Sequence, residues 1–599
     1  MPADRGPDPH SYARPDQIAA SHLDLDLDVD FEARRLTGSV RLDLERRTAG
    51  ATELVLDTWL LDIVAVTLAD GTPAAFELGE HDPVLGSPLT VAVGAAGSVV
   101  VEYRTHPDAR ALQWLGPAQT GSGHPFLFTQ SEAILARSWV PLQDTPSVRF
   151  DYDATVRVPP HLIALMSAGN PTARTADGVY RFSMPQPVPS YLMALAVGDV
   201  EFRALGPRSG VYAEPAVLEA AAHEFADTEA MIEAVERLFG PYRWDRYDLL
   251  VAPASFPFGG MENPRLTFVT PTLLAGDRSL MSLVAHELAH SWSGNLVTNA
   301  SWNDVWLNEG FTVHLETRIV EEVYGAPFAT MILQLYRQDL LASLPGLSPR
   351  DTWLEQDLAG RDPDDGLTDV PYDKGSLFLR MLEQTVGRER FDAFLTGYFD
   401  RFAFRSVDTA TFVAHLRTEL LEPAGLDPDE VQLEAWVHGP GLPDNAPVWR
   451  SEAFAQVDRA VESLLAGRRA ADLDTAGWSP HQWIHLLRAL PREGAPTLLA
   501  DVDETFGFTG TSNDEILAAW LTCAVESGHV FEASAVDAAL ADFLTRQGRV
   551  KFLRPLYTAL ARTERGAARA REVYATARPG YHPVATGVVD RILADTATR

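Results

Sequence analysis

The chain has 599 residues, a formal net charge of −34 and one cysteine. Such acidity argues against nucleic acid or an anionic membrane as partner and favours cationic groups, among them a peptide's N-terminal ammonium. A lone cysteine forbids an intrachain disulfide, no stretch is apolar enough for a membrane span, and the polar run from Met1 to Arg14 has no apolar signal core, so a cytoplasmic monomer is expected.

From Ser21 to about residue 205 the pattern is β. His22 to Phe31 and Ser39 to Glu45 alternate apolar and polar residues, the period of half-buried strands, and Pro/Gly-rich turns separate many further short segments. This predicts an N-terminal β domain over 1–205, an extended saddle-like sheet or a sandwich. Residues 206–443 change character. Tyr247 to Val251 and Leu266 to Val269 read as strands flanking the loop Phe256 to Asn263, and helices follow around His286, over Val305 to Tyr324 and over Lys374 to Val386. Gly439-Pro-Gly-Leu-Pro-Asp-Asn-Ala-Pro447 is a linker by composition, and the break is placed at 444–451. Residues 452–599 read as successive amphipathic helices, such as Pro480 to Leu490 and Ile516 to Val525, the second burying Cys523 as a packing residue. The fold class predicted is multidomain α+β: a β domain, a mixed α+β domain, and a helical bundle or solenoid. Lysine occurs only at Lys374 and Lys551, against abundant arginine.

The chemistry is concentrated in His286-Glu-Leu-Ala-His290, followed after eighteen residues by Glu309 within Trp306-Leu-Asn-Glu-Gly310. Helical residues four apart share a face, so His286 and His290 can present two imidazoles to one ion. Glu309 supplies a carboxylate oxygen as third ligand, and a fourth position stays for water. That is the ligand set of a catalytic zinc, one Zn2+ per chain, with Glu287 beside it as general base. The apolar flanks Leu280, Leu283, Val284, Leu288 and Ala289 imply a buried helix, where two unpaired imidazoles would be costly without a metal. A metzincin would carry a third histidine at position 296, which is Leu296. Glu316 reads equally as an orienting partner for a ligand histidine or as a solvated acid.

Around this motif stand Gln130-Ser-Glu-Ala133, Gly259-Gly-Met-Glu-Asn263, Pro271-Thr-Leu-Leu-Ala-Gly-Asp277, Trp292-Ser-Gly-Asn-Leu-Val-Thr298, Val370-Pro-Tyr-Asp-Lys-Gly375 and Gly548-Arg-Val-Lys-Phe552. Together they resemble the M1 peptidase family of gluzincin aminopeptidases, and within it the group containing leukotriene A(4) hydrolase and aminopeptidase B. The resemblance covers almost the whole chain. It implies an N-terminal β domain, a thermolysin-like catalytic domain and a C-terminal α domain, with the active site in the cleft between them. It implies peptide substrates with a free N-terminus, whose ammonium is bound by Glu262 and Glu132. Gly259, Gly260 and Met261 form the segment along which backbone approaches the substrate. Tyr372 is implied as donor to the developing oxyanion, Asp364 as an acid of the substrate pocket, and Arg549 and Lys551 as a clamp on a short peptide's terminal carboxylate.

By themselves Glu262 and Glu132 read as loop acids, Tyr372 as a packing residue, and Arg549 with Lys551 as a solvated helix face. Lys374 receives no role. The group also implies an alternative activity, hydrolysis of a lipid epoxide at the same zinc. Against that, Leu367 and Phe258 stand where leukotriene hydrolase has tyrosines, and Val305 where it has an aromatic residue. The expectation is a zinc aminopeptidase of short peptides.

Overall fold

The computed structural model describes residues 8–493 and 496–595. The strand Ile18–Asp30 buries Leu23, Leu25 and Leu27 and exposes Asp24, Asp26 and Asp28, as its alternation requires. It lies inside a six-stranded sheet ordered Val179–Val188, Phe150–Arg157, Ile18–Asp30, Arg35–Arg46, Ser98–Arg104, Asp62–Leu68. Leu25 stands opposite Val40 on one antiparallel neighbour and opposite Ala154 on the parallel one. A three-stranded sheet and a four-stranded sheet complete this region. In the latter, Phe126–Thr129 is buried throughout and runs directly into Gln130-Ser-Glu132.

A five-stranded sheet follows, ordered Glu201–Ala204, Ser209–Ala213, Tyr247–Val251, Thr267–Val269, Gly260–Met261. Its first hairpin spans position 205, so this sheet starts before the change in sequence character. Gly260–Met261 is an edge strand: it pairs antiparallel with Val269 and Phe268 and leaves its other edge unpaired within the sheet.

The helix Met281–Ala289 packs on the edge strand of this sheet, and Trp306–Tyr324 packs in turn against it and against Ala326–Ser343 and Gly375–Val386. Trp306–Tyr324 is buried from Trp306 to Val320. Ahead of Gly375 the chain winds as a single π-helical turn, Val370–Lys374, wider than an α turn. A Cβ on Gly310 would lie 2.7 Å from the Gly375 Cα and 2.9 Å from the Pro371 carbonyl oxygen. Two backbones therefore touch here, and only glycine permits it.

One apolar core runs from Ile18 to Val437 without a break between the β region and the catalytic region. A second core, Val457 to Val589, belongs to the C-terminal helices. There Pro480–Ala489, Asp514–Glu526, Val550–Ala561 and Pro583–Asp595 pack in succession. Ser534–Arg546 and Glu564–Ala577 pair in a second layer, the stacking of a short solenoid. Cys523 is buried in the second of those packed helices. The segment Gln547 to Val550 is stitched to the catalytic region: the Gly548 N–H donates to Ala254 O at 2.9 Å and the Val550 N–H to Pro257 O at 2.8 Å. Among the described residues no helix is long and apolar enough to cross a membrane.

Candidate active site

His286 lies on the last turn of Met281–Ala289, and His290 caps that helix, its N–H donating back to His286 O. Their Nε2 atoms stand 3.2 Å apart, and Glu309 Oε2 lies 3.5 Å from one and 3.6 Å from the other. A tetrahedral ion bonded at about 2.05 Å would hold two nitrogens about 3.3 Å apart, so the three atoms fit zinc. Glu309 Oε2 is buried without a hydrogen-bond partner among the described residues, as expected of an atom whose partner is an ion.

The outer nitrogens of both imidazoles are fixed. His286 Nδ1 lies 3.1 Å from Glu316 Oε2, and Tyr336 donates its hydroxyl to the other Glu316 oxygen at 2.7 Å. His290 Nδ1 lies 3.0 Å from Ser293 O. Glu316 is fully buried and is no solvated acid. Burial disfavours the charged form of both rings. It holds His290 down at about 4, whereas the nearby carboxylates of Glu309 and Glu316 outweigh it at His286 and raise that ring well above its ordinary value.

Glu287 packs against the edge strand: a Cβ on Gly260 would lie 2.3 Å from its carboxyl carbon. Burial drives the Glu287 carboxyl well above the ordinary range; His286 opposes that, while Glu262, Glu309 and Glu316 add to it. Glu132 behaves alike, raised by burial and by Glu262, Glu309 and Asp364, and burial pushes Glu262 up to about 7. Oε1 of Glu132 and Oε1 of Glu262 are buried with no hydrogen-bond partner among the described residues.

Backbone contacts aim these acids. The Asn295 amide donates to Glu262 O at 2.8 Å, and the Gln130 amide donates to Met261 Sδ at 3.2 Å, seating the Glu132 loop on the edge strand. The Asp364 carboxylate accepts the Ala133 N–H, and burial pushes Asp364 up to about 7. Asp364 thus acts on the loop that carries Glu132. Sequence reasoning missed Asn295, whose contacts carry no local signal.

The Tyr372 ring stacks on His286, 6.3 Å between centroids and 18° between planes. Burial and the Glu309 carboxylate raise its hydroxyl pKa well above the ordinary value, so it stays a protonated donor. Lys374, fully buried, donates Nζ to Thr352 O at 2.7 Å and Gly439 O at 2.9 Å, which ties the Tyr372 turn to the end of the catalytic region.

Arg549 and Lys551 converge on Glu515, a residue the sequence did not single out: Arg549 Nη1 donates at 2.9 Å, and Lys551 Nζ at 2.9 and 3.1 Å. Burial would raise the Glu515 carboxyl, but Lys551 and Arg549 outweigh it and hold it at about 2. A Cβ on Gly259 would lie 2.8 Å from Arg549 Nη2 and 3.0 Å from Leu283, so Gly259 is where the helical domain reaches the edge strand.

Three family signatures match in tandem: the peptidase M1 N-terminal domain over 19–192, the peptidase family M1 domain over 223–435 and the leukotriene A4 hydrolase C-terminal domain over 478–593. Leukotriene A-4 hydrolase of Xenopus laevis is 39% identical over 99% of this chain and 100% of its own. Leucine aminopeptidase 2 of Yarrowia lipolytica is 37% identical over 99% of this chain and 95% of its own. The structure of yeast LTA4 hydrolase in complex with bestatin superposes with a TM-score of 0.91 at 33% identity, covering 98% of both chains. An M1 zinc metallopeptidase from Deinococcus radiodurans superposes with a TM-score of 0.59 at 25% identity, over 72% of this chain and 96% of that one. With this similarity running from end to end, the chain belongs to the M1 peptidase family of metallo-aminopeptidases.

Proposed function

We propose that the chain removes the N-terminal residue from short peptides, using one zinc ion held by His286, His290 and Glu309. The observation that carries this reading is the pair of carboxylate oxygens on Glu132 and Glu262, buried beside a ligand triad with no hydrogen-bond partner among the described residues. A substrate ammonium is the missing donor.

When bound, the zinc supplies a Lewis acid that lowers the pKa of water and polarises a carbonyl. The chain's own groups do the rest. Glu262 and Glu132 take the ammonium, which fixes the scissile bond one residue in. Glu287 takes the proton from the attacking water and passes it to the departing amine. The Tyr372 hydroxyl donates to the oxygen that gains charge as the carbonyl becomes tetrahedral.

The edge strand favours short substrates. From Glu262 back to Gly259 is three residues, about 10 Å of extended chain, and Arg549 lies against Gly259. An extended tripeptide spans about the same distance, so its carboxylate reaches Arg549 and Lys551 while its ammonium sits on Glu262.

The test is release of N-terminal residues from an aminoacyl-arylamide panel, with chelator and with zinc restored. Activity that disappears with chelator and returns with zinc supports the reading, and zinc-loaded protein inert toward arylamides and tripeptides alike refutes it. A second reading, hydrolysis of a lipid epoxide, is favoured by the name of the Xenopus relative. The half-buried Leu367, where that group has a tyrosine, counts against it, and a fatty-acid epoxide assay decides.

A further inference from the structure

Arg549 and Lys551 do not face the cleft as two free cations. Glu515 is the second residue of Asp514–Glu526, and its carboxylate accepts from Arg549 Nη1 and from Lys551 Nζ. The contacts differ in access: the Glu515 and Arg549 side chains keep 12% and 6% exposure, and Lys551 keeps 58%. Arg549 is held at its tip, while its Nε is buried with no hydrogen-bond partner among the described residues. Its Nη1 also donates to Thr272 Oγ1 at 3.2 Å, its guanidinium lies 5.0 Å from the Phe552 ring centre, and its Nη2 faces Gly259. The Asn513 side chain caps the helix by accepting from the Glu515 N–H, so Glu515 sits on a first turn, where aligned peptide dipoles favour an anion. His481 feels Glu515, Lys551, Arg488 and Asp277, and beside Glu515 the Asp514 carboxylate pairs with Arg546 at 2.7 Å.

We propose that Glu515 is a specificity-determining residue: an internal carboxylate seated on the two cations that meet a peptide's C-terminal carboxylate, so that every such substrate competes with the chain's own acid. This rests on the clamp reading of Arg549 and Lys551 given above. With Glu515 in place the subsite carries one net positive charge instead of two. A substrate carboxylate meets exposed Lys551 first and must share Arg549 with Glu515, which already occupies Nη1. A peptide whose C-terminus is an amide meets no such competition and loses little. The enzyme is thereby kept from demanding a free C-terminus, and Arg549 is never left as a buried, unpaired charge while the subsite is empty. Glu515 remains ionised through the neutral range, so the competition is always present.

The experiment measures kcat/KM for one tripeptide as free acid and as C-terminal amide, in zinc-loaded wild type, Glu515→Gln, Glu515→Asp, Arg549→Ala and Lys551→Ala. The acid-to-amide ratio is taken within each protein, so losses of active enzyme cancel. In Glu515→Gln the ratio should rise about tenfold, the size expected of one partly screened charge contact. A ratio that stays level or falls overturns the proposal. If Glu515→Gln does not fold, Glu515→Asp, which keeps the charge but withdraws it by a methylene, should shift the ratio in the same direction, and a level ratio there overturns it equally. Lys551→Ala should lower the ratio. If Lys551→Ala and Arg549→Ala both leave it level, the clamp itself is absent; if either lowers it while Glu515→Gln leaves it level, only the role of Glu515 is lost.

Discussion

Replacing Gly310 by alanine tests how tightly the site depends on one backbone contact. The added methyl would lie 2.7 Å from the Gly375 Cα and 2.9 Å from both the Gly375 carbonyl carbon and the Pro371 oxygen. Carbon atoms rest at about 3.5–4.0 Å, so the two backbones must part by about 1 Å. Each neighbouring atom is main chain, with no flexible side chain to swing aside. The element displaced is the π turn Val370–Lys374, which carries Tyr372, and the element it leaves is the helix that carries Glu309 one residue before Gly310. Overpacking of this kind costs about 1–3 kcal/mol of stability, which a large core tolerates. A misplacement of about 1 Å at a reacting centre costs on the order of 10²-fold in rate. Gly310→Ala should therefore fold and hold zinc, while kcat for an aminoacyl-arylamide falls about 10²-fold and KM changes little. Steady-state kinetics with metal analysis and a melting curve check this together. A folded, zinc-loaded variant with kcat near that of the wild type would falsify the claim that this contact sets the position of Tyr372.

Three further outcomes are expected. Glu287→Gln should retain zinc and lose about 10²- to 10⁴-fold in kcat, the range for removing a general base, and near-normal turnover would end that assignment. Glu316→Gln breaks the anionic partner of His286 Nδ1 and should weaken zinc binding about 10- to 100-fold, read by competition with a chelator; an unchanged affinity would make Glu316 a packing residue. The Glu515 carboxyl lies below its ordinary 4.5, at about 2, so its ion pairs stabilise the fold fully above 4.5 and are lost as pH falls toward 2. Over that window the wild type should lose roughly 3 kcal/mol that Glu515→Gln does not lose, measured by denaturant titration at several pH values, and equal slopes in both proteins would refute it.

Much of this was legible in the sequence because the signals were periodic or local. Alternation placed the strand at Ile18–Asp30, and four-residue spacing placed His286 and His290 on one face. What escaped depends on contacts between distant segments. Glu515 precedes Arg549 by 34 positions and meets it only because two helices of a stacked layer bring them together. Lys374 stood out by its rarity, yet its partners are the carbonyls of Thr352 and Gly439, which leave no mark in side-chain identity. The meeting of Gly310 and Gly375 was equally hidden, since each glycine alone is compatible with an ordinary helix. Glu316 was ambiguous for the opposite reason: its spacing fitted two roles, and only full burial against Tyr336 separates them.

The stitch between Gly548 and Ala254, and between Val550 and Pro257, joins the start of the helix Val550–Ala561 to the loop that precedes the edge strand. If peptides bind as proposed, the far end of their groove is a seam between two units with separate apolar cores, and the length of peptide accepted would be gauged by how those units are docked. Mild urea, or a substitution deep in the helical layers, should blur the gauge before it slows the hydrolysis: the protein would first become indifferent to chain length and only later become inactive. Selection on the helical layers would then be felt as selection on diet, at residues that never touch a substrate.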